Sequence, residues 1–224
     1  MFRDALLVAG KDLRVERRSR VTTNQVLPFA VLILVLFAFA LEPDRGVLTR
    51  AAAGLFWVAV LLSALLAVQR SAGVESTDGT RDALRLSGLD PAGIFLGKAV
   101  AVAVQLLVLE LVLGAGVVVL YDVDLHGVGV LVATCLAATA GLAAAGTLYG
   151  VLAAGLKVRD TLLPLLLLPV VAPVLIAATR ASESALSGVA LDVAPADWLR
   201  LLGVFAAVYV AFGVVAYGPL LEES

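Results

Sequence analysis

One cysteine, one histidine and one methionine are all that the 224 residues contain of those types, and aromatic residues make up only 6% of the chain. A lone cysteine, Cys135, excludes an intrachain disulfide, and its place in an apolar run suits a small packing residue. A lone histidine, His126, cannot supply a two-histidine axial pair within one chain. Asp122, Asp124 and His126 could be drawn as a metal site, but ligands crowded into one short turn with no partner elsewhere make a poor one. No G-x-x-x-x-G-K-[ST] phosphate loop occurs, so ATP hydrolysis by that route is excluded. Ser71, Ser76 and Ser182 stand apart from any base and orienting acid, so no catalytic constellation is drawn from them. With 16 basic against 18 acidic residues, the charge balance gives no reason to expect nucleic acid as a partner. The expectation is a chain without its own catalytic site, cofactor or metal.

What is abundant is apolar surface. The hydrophobic fraction is 62% and the mean hydropathy +1.05, above ordinary soluble composition. Six long apolar stretches fall at approximately 26–41, 51–68, 99–120, 127–156, 161–179 and 201–218. A helix needs about 20 mostly apolar residues to cross the hydrocarbon core. The fold class expected is therefore an all-α integral membrane protein with six transmembrane helices, a single membrane domain over residues 1–224. Ala38-Phe39-Ala40 imitates a signal-peptidase site, yet the region before the first span carries acids as well as bases and five spans follow, so that span is expected to be retained.

Basic residues are spread unevenly between the stretches. Arg3, Lys11, Arg14, Arg17, Arg18, Arg20, Arg70, Arg81, Arg85, Lys98, Lys157 and Arg159 fall on one side of the weave. Only Arg45, Arg50, Arg180 and Arg200 fall on the other. By the positive-inside rule both termini are expected in the cytoplasm.

Residues 1–21 read as an amino-terminal interfacial amphipathic helix. Phe2, Leu6, Ala9 and Leu13 line one face, and Lys11, Arg14 and Arg18 occupy another, where anionic membrane lipids would attract them. A helix packed onto its own protein with a solvated basic side is the plain alternative, and an elbow leading into the first span satisfies both. Residues 69–98 form the longest cytoplasmic connection. Asp78-Gly79-Thr80 reads as a turn that caps a short helix through Leu86, ended by Ser87-Gly88 and Pro91. Its apolar patch suits either a docking partner or the inner leaflet.

Inside the spans, Trp57 sits too deep for an interfacial anchor and is better suited to helix packing. Glu110 lies near mid-depth, where a carboxylate costs roughly 2.5–3.5 kcal/mol on insertion scales. It is expected either to line a translocation path or, as the favoured reading, to bond Thr134, Thr139 or Thr147 of the next span. Gly146 and Gly150 make a small-xxx-small pair for helix packing. The fourth stretch is long enough that a break or re-entrant start near 127–132 is expected. Pro164, Pro169 and Pro173 should bend the fifth span, with Pro169 and Pro173 as conformational candidates. Arg180–Arg200 is expected to be the longest outer segment.

Particular residues then carry a resemblance. Gly54-Leu55-Phe56-Trp57-Val58-Ala59-Val60-Leu61-Leu62-Ser63 resembles the second-span stretch of the cytochrome c maturation permease family CcmB, or heme exporter protein B. Glu75-Ser76-Thr77-Asp78-Gly79-Thr80-Arg81-Asp82-Ala83-Leu84 resembles that family's D-G-(T/S)-L-E-x-L cytoplasmic segment, although Arg81 replaces an apolar residue and Asp82 a glutamate. Pro164-Leu165-Leu166-Leu167-Leu168-Pro169, with Pro173-Val174-Leu175-Ile176, resembles its proline-bent fifth span. Lys11-Asp12-Leu13 and Arg17 fit its opening segment.

The resemblance implies an ABC-2-type permease-like bundle in the bacterial inner membrane, coupled to an ABC ATPase subunit like CcmA. Glu75, Asp78, Gly79, Thr80, Asp82, Leu84 and Leu86 would form the ATPase coupling element. A CcmC-like heme-handling membrane subunit, a CcmD-like small subunit and a heme chaperone would be further partners. Heme would be handled by the complex and ATP by the partner subunit, with this chain transmitting force. An ABC-2-type exporter of a lipid, polysaccharide or drug is the nearer alternative. A stand-alone secondary transporter or a passive scaffold is the alternative of another class; the former wants more intramembrane charge than Glu110.

Overall fold

In the computed structural model, residues 1–20, 22–41, 45–75, 88–154, 159–187 and 194–223 are described. Helix α1 is Phe2–Ser19; a single π-helical turn, Thr22–Val26, leads into α2, Leu27–Leu41. Then come α3 (Arg45–Glu75), α4 (Pro91–Tyr121), α5 (Val128–Ala154), α6 (Arg159–Ser187) and α7 (Pro195–Glu223). The described residues contain no strand. Six of these helices are long and apolar enough to cross a membrane, as the six sequence stretches require, and the protein is an all-α integral membrane protein.

The helices outrun the apolar stretches that nucleate them. Spans were expected at 51–68, 99–120 and 201–218, but the helices run over Arg45–Glu75, Pro91–Tyr121 and Pro195–Glu223. The cause is visible at the start of α4. Asp90 is its N-cap, with Oδ1 accepting from the Ala92 amide at 3.0 Å, and Pro91 occupies the first helical position, where its missing N–H costs nothing. Pro91 opens a helix; the short one expected before it lies outside the described residues.

One expected interruption is absent. Helix α5 begins at Val128 and runs unbroken to Ala154, with no re-entrant start. Its beginning is anchored to the end of α6 instead, where the His126 amide donates to the Ala185 carbonyl at 3.0 Å, and the Leu131 amide closes α5's own first turn on the Gly127 carbonyl at 3.0 Å. Helix α6 passes through Pro164, Pro169 and Pro173 without a break and continues beyond Thr179 to Ser187, taking the first part of the expected outer segment into the helix. Pro169 and Pro173 face outward from the bundle.

Helix α3 is the most enclosed span, and α2 and α7 are the least. Around α3 the core joins Phe56, Trp57 and Val60 to Leu106, Leu109 and Leu113 of α4 and to Leu167, Val171 and Val174 of α6. Lipid tails are as apolar as these side chains, so close packing and buried polar contacts hold the helices together more than exclusion from water does. A second cluster gathers Val8, Phe95, Leu148, Val151, Tyr217 and Leu221. It places both chain termini at one end of the bundle, called the basal end below.

Candidate functional site

The basal end is organised by α1. Gly93 and Gly97 form a seam on α4 where α1 lies so close that side chains have no room. A Cβ on Gly97 would stand 2.6 Å from the Ala5 carbonyl oxygen, and one on Gly93 would stand 2.8 Å from that of Met1. Val8 and Ala9 are buried in this contact. Beside it, Lys98, only 4% exposed, pairs with Asp12 at 3.7 Å. Of the four residues expected on one face of α1, Ala9 is buried whereas Phe2 and Leu6 are each 75% exposed. The helix thus has an inward seam against α4 and an outward apolar edge beside its basic residues.

Both ends of α1 reach the borders of the connection between α3 and α4. At the α3 border, Arg70 donates from Nη2 to Ser19 Oγ at 3.0 Å and pairs through Nε with Glu16 at 3.4 Å. At the α4 border, the Met1 ammonium lies 3.2 Å from Asp4 Oδ2 and 3.3 Å from Asp90 Oδ2. The Asp90 amide donates to Asp4 Oδ2 at 3.4 Å. The bond with Asp4 raises the Met1 ammonium pKa above its ordinary 8.0, and the ammonium lowers that of Asp4 below its ordinary 3.8. One 18-residue helix, about 27 Å long at 1.5 Å per residue, therefore brackets the connection. Of the expected coupling residues, Glu75 ends α3, while Asp78, Gly79, Thr80, Asp82, Leu84 and Leu86 lie outside the described residues.

The remaining candidates are distributed along the spans. Trp57 is buried and its indole N–H donates to Ser182 Oγ at 3.1 Å, joining α3 to α6. Phe56 packs edge-on against it, with ring centroids 5.3 Å apart. Glu110 accepts a hydrogen bond from Thr139 of α5, one of the three threonines named from sequence. Thr134 instead donates to the Val130 carbonyl, and the Thr147 hydroxyl has no hydrogen-bond partner among the described residues. Gly146 meets Val68 of α3, where a Cβ would stand 2.5 Å from a Val68 methyl; Gly150 is buried one turn further on. Neither Trp57 nor the prolines of α6 join Glu110 in one cluster. Lys98, placed in a connection by sequence reasoning, is instead buried against α1; the acid at Asp12 facing it was the signal available.

Glu110 also lines a cavity of about 540 Å3 between α4 and α5, together with Gly114, Leu131 and Cys135. Among the described residues, no group of three His, Cys, Asp or Glu side chains could hold a metal ion. His126 donates from Nδ1 to the Asp124 carbonyl at 2.8 Å.

The family described as CcmB protein matches residues 3–224. Heme exporter protein B of Haemophilus influenzae is 30% identical over 219 residues, covering 98% of this chain and 97% of the relative. That of Paracoccus denitrificans is 32% identical, covering 92% and 91%. The Pseudomonas aeruginosa protein of the same name is 28% identical, covering 95% and 94%.

Proposed function

Because this chain belongs to the CcmB family, we propose that it is the transmembrane permease subunit of an ABC-type complex in cytochrome c maturation. It couples ATP hydrolysis in a CcmA-like partner to heme delivery or to release of a heme-loaded chaperone. Heme is cargo here, handled with CcmC-like and CcmD-like subunits and the chaperone; ATP belongs to the ATPase. The protein is a multi-pass membrane transport subunit; its membrane is the bacterial cytoplasmic one, with both termini in the cytoplasm. Eight of the twelve basic residues on the expected inner side lie in α1 or in the connections between α3 and α4 and between α5 and α6.

The observation that carries the coupling role is the bracketing of residues 76–87 by α1. A partner pushing on that segment would pass its force at one border to Arg70 and α3, and at the other to Asp90 and α4. Since α1 is tied to both borders, they would move as one body. The moving part is then a two-ended lever rather than a loop sliding over a static bundle.

Purification of the chain in mild detergent, with assays of the eluate for ATPase activity and heme absorbance, tests this. ATPase that co-purifies with the native chain and is lost with Asp78→Arg, together with loss of c-type cytochromes in cells, is the expected result. Retention of both on Asp78→Arg and Asp82→Arg would refute the coupling assignment. Accumulation of a lipid, polysaccharide or drug with c-type cytochromes intact would replace it with the exporter reading.

A further inference from the structure

The cavity between α4 and α5 is a groove that runs along the helices. Its α4 wall extends from Leu107 to Val119, about 18 Å at helical rise, and its α5 wall from Val128 to Leu136. Phe56 of α3 forms its back. The rim side chains Leu111 and Val132 are 76% and 51% exposed, as suits a surface facing the membrane interior.

Two features distinguish this groove from an ordinary lipid-facing surface. Glu110 is only 4% exposed and lines the groove. Its Oε1 takes the Thr139 bond, while Oε2 has no hydrogen-bond partner among the described residues. The Cys135 thiol on the same wall is a hydrogen-bonding neighbour of this carboxyl group, but a thiol is a weak donor and leaves it short of a full partner. One turn along α4, Gly114 lines the same groove, and a Cβ there would meet nothing within 4 Å. Its smallness answers no neighbour within this chain. A small residue beside an unsatisfied polar group is what a docking helix uses in a membrane: the first admits its backbone, the second bonds its side chain.

We propose that this groove seats a transmembrane helix of a different chain, one carrying a hydrogen-bonding side chain near mid-membrane that pairs with Glu110 Oε2 while its backbone passes over Gly114. A lipid acyl chain would fill the volume but leave Oε2 unpaired in an apolar site. A second copy of this chain serves no better through its two most exposed spans. The exposed side chains of α2 from Phe29 to Phe39, and of α7 from Leu201 to Val215, are all apolar. The inference rests on the proposed function only in taking the partner to be a membrane subunit of the same assembly.

The test uses the full chain expressed with its native partners, with benzoylphenylalanine placed at Leu111 or Val132 and, as controls, at Leu36 or Val208. The expected result is adducts from the groove positions alone, mapped by mass spectrometry to a membrane-spanning segment of another chain that bears a hydrogen-bonding residue. Glu110→Leu should cut the Val132 adduct at least fivefold, and Glu110→Gln should keep it within twofold. Because Glu110→Leu also removes the Thr139 contact, Leu111→Trp supplies a second variant that fills the rim without touching the interior. It should give the same loss at an unchanged elution volume. Adducts with lipid alone, adducts with a second copy, or a yield indifferent to Glu110→Leu would each overturn the proposal. A groove adduct that persists in a chain shown not to serve cytochrome assembly would sustain the surface and refute the function.

Discussion

Replacing Gly97 with alanine should lift α1 from the bundle. The added Cβ would stand 2.6 Å from the Ala5 carbonyl oxygen and 2.7 Å from Val8 Cβ. Carbon contacts are comfortable at about 3.5–4.0 Å, so α1 must retreat by roughly 1 Å. The obstacle is helix backbone on one side and a Cβ on the other, and neither can swing aside as a long side chain would. Lys98 and Asp12, already 3.7 Å apart, would then separate further, leaving an ammonium inside the seam with weaker compensation. Overpacking of this kind costs about 1–3 kcal/mol. At about 1.4 kcal/mol per tenfold, the ratio of docked to undocked α1 falls about 5- to 150-fold. Val8, 3% exposed, reports on the event: in a Cys135→Ser background, maleimide labelling of Val8→Cys should accelerate by that factor. Gly10→Ala is the control, since a Cβ there meets nothing within 4 Å and helix propensity favours alanine by about 1 kcal/mol. Its labelling rate should stay level or fall. A Gly97→Ala rate within twofold of the parent would refute the seam.

Three further outcomes are expected. The Met1–Asp4–Asp90 cluster gives α1 docking two pH limits: the raised Met1 ammonium contributes fully below its ordinary 8.0 and is lost as pH rises through its folded pKa. The lowered Asp4 contributes above its ordinary 3.8 and is lost as pH falls through its folded pKa; Asp4→Asn should abolish this acid limb and weaken the alkaline one, which Asp90 still supports, in melting curves recorded against pH. Trp57→Phe strands the buried Ser182 hydroxyl and should cost about 1–3 kcal/mol in detergent unfolding, with Ser182→Ala recovering part of it; full stability in Trp57→Phe would mean that the bond contributes nothing. Gly213→Ala drives a Cβ to 2.0 Å from the Phe95 ring tip, for a loss of about 1–3 kcal/mol; Phe95→Leu should relieve it, and a double variant no better than Gly213→Ala alone would place the clash elsewhere.

The spans were legible because a bilayer demands a run of apolar residues and the sequence offers six. Glu110 was legible for the same reason: a carboxyl among Val and Leu needs a partner, and hydroxyls lay in the next span. The helix ends were not, since hydropathy falls at the headgroups while helical backbone continues past them, as α3 does from Val68 to Glu75. Length suggested a break in α5, since the stretch over 127–156 outruns the hydrocarbon core, but the helix runs unbroken from Val128 to Ala154. The inward face of α1 was hidden because its apolar periodicity marks two faces at once, and only the glycine seam on α4 decides which one is buried. The groove was beyond reach in one dimension, since it depends on the lateral spacing of α4 and α5.

The seam also fixes an order of events during synthesis. Helix α1 leaves the ribosome before α4, and Gly93 and Gly97, which receive it, follow about 80 residues later. At about 5–20 residues per second, α1 waits roughly 4–16 s for its berth. Throughout that interval the outward edge of Phe2 and Leu6, with its basic flank, would give the newborn helix a place on the bilayer surface. Residues that look wasted on the finished bundle would then be the ones that keep α1 from wandering until the third span arrives.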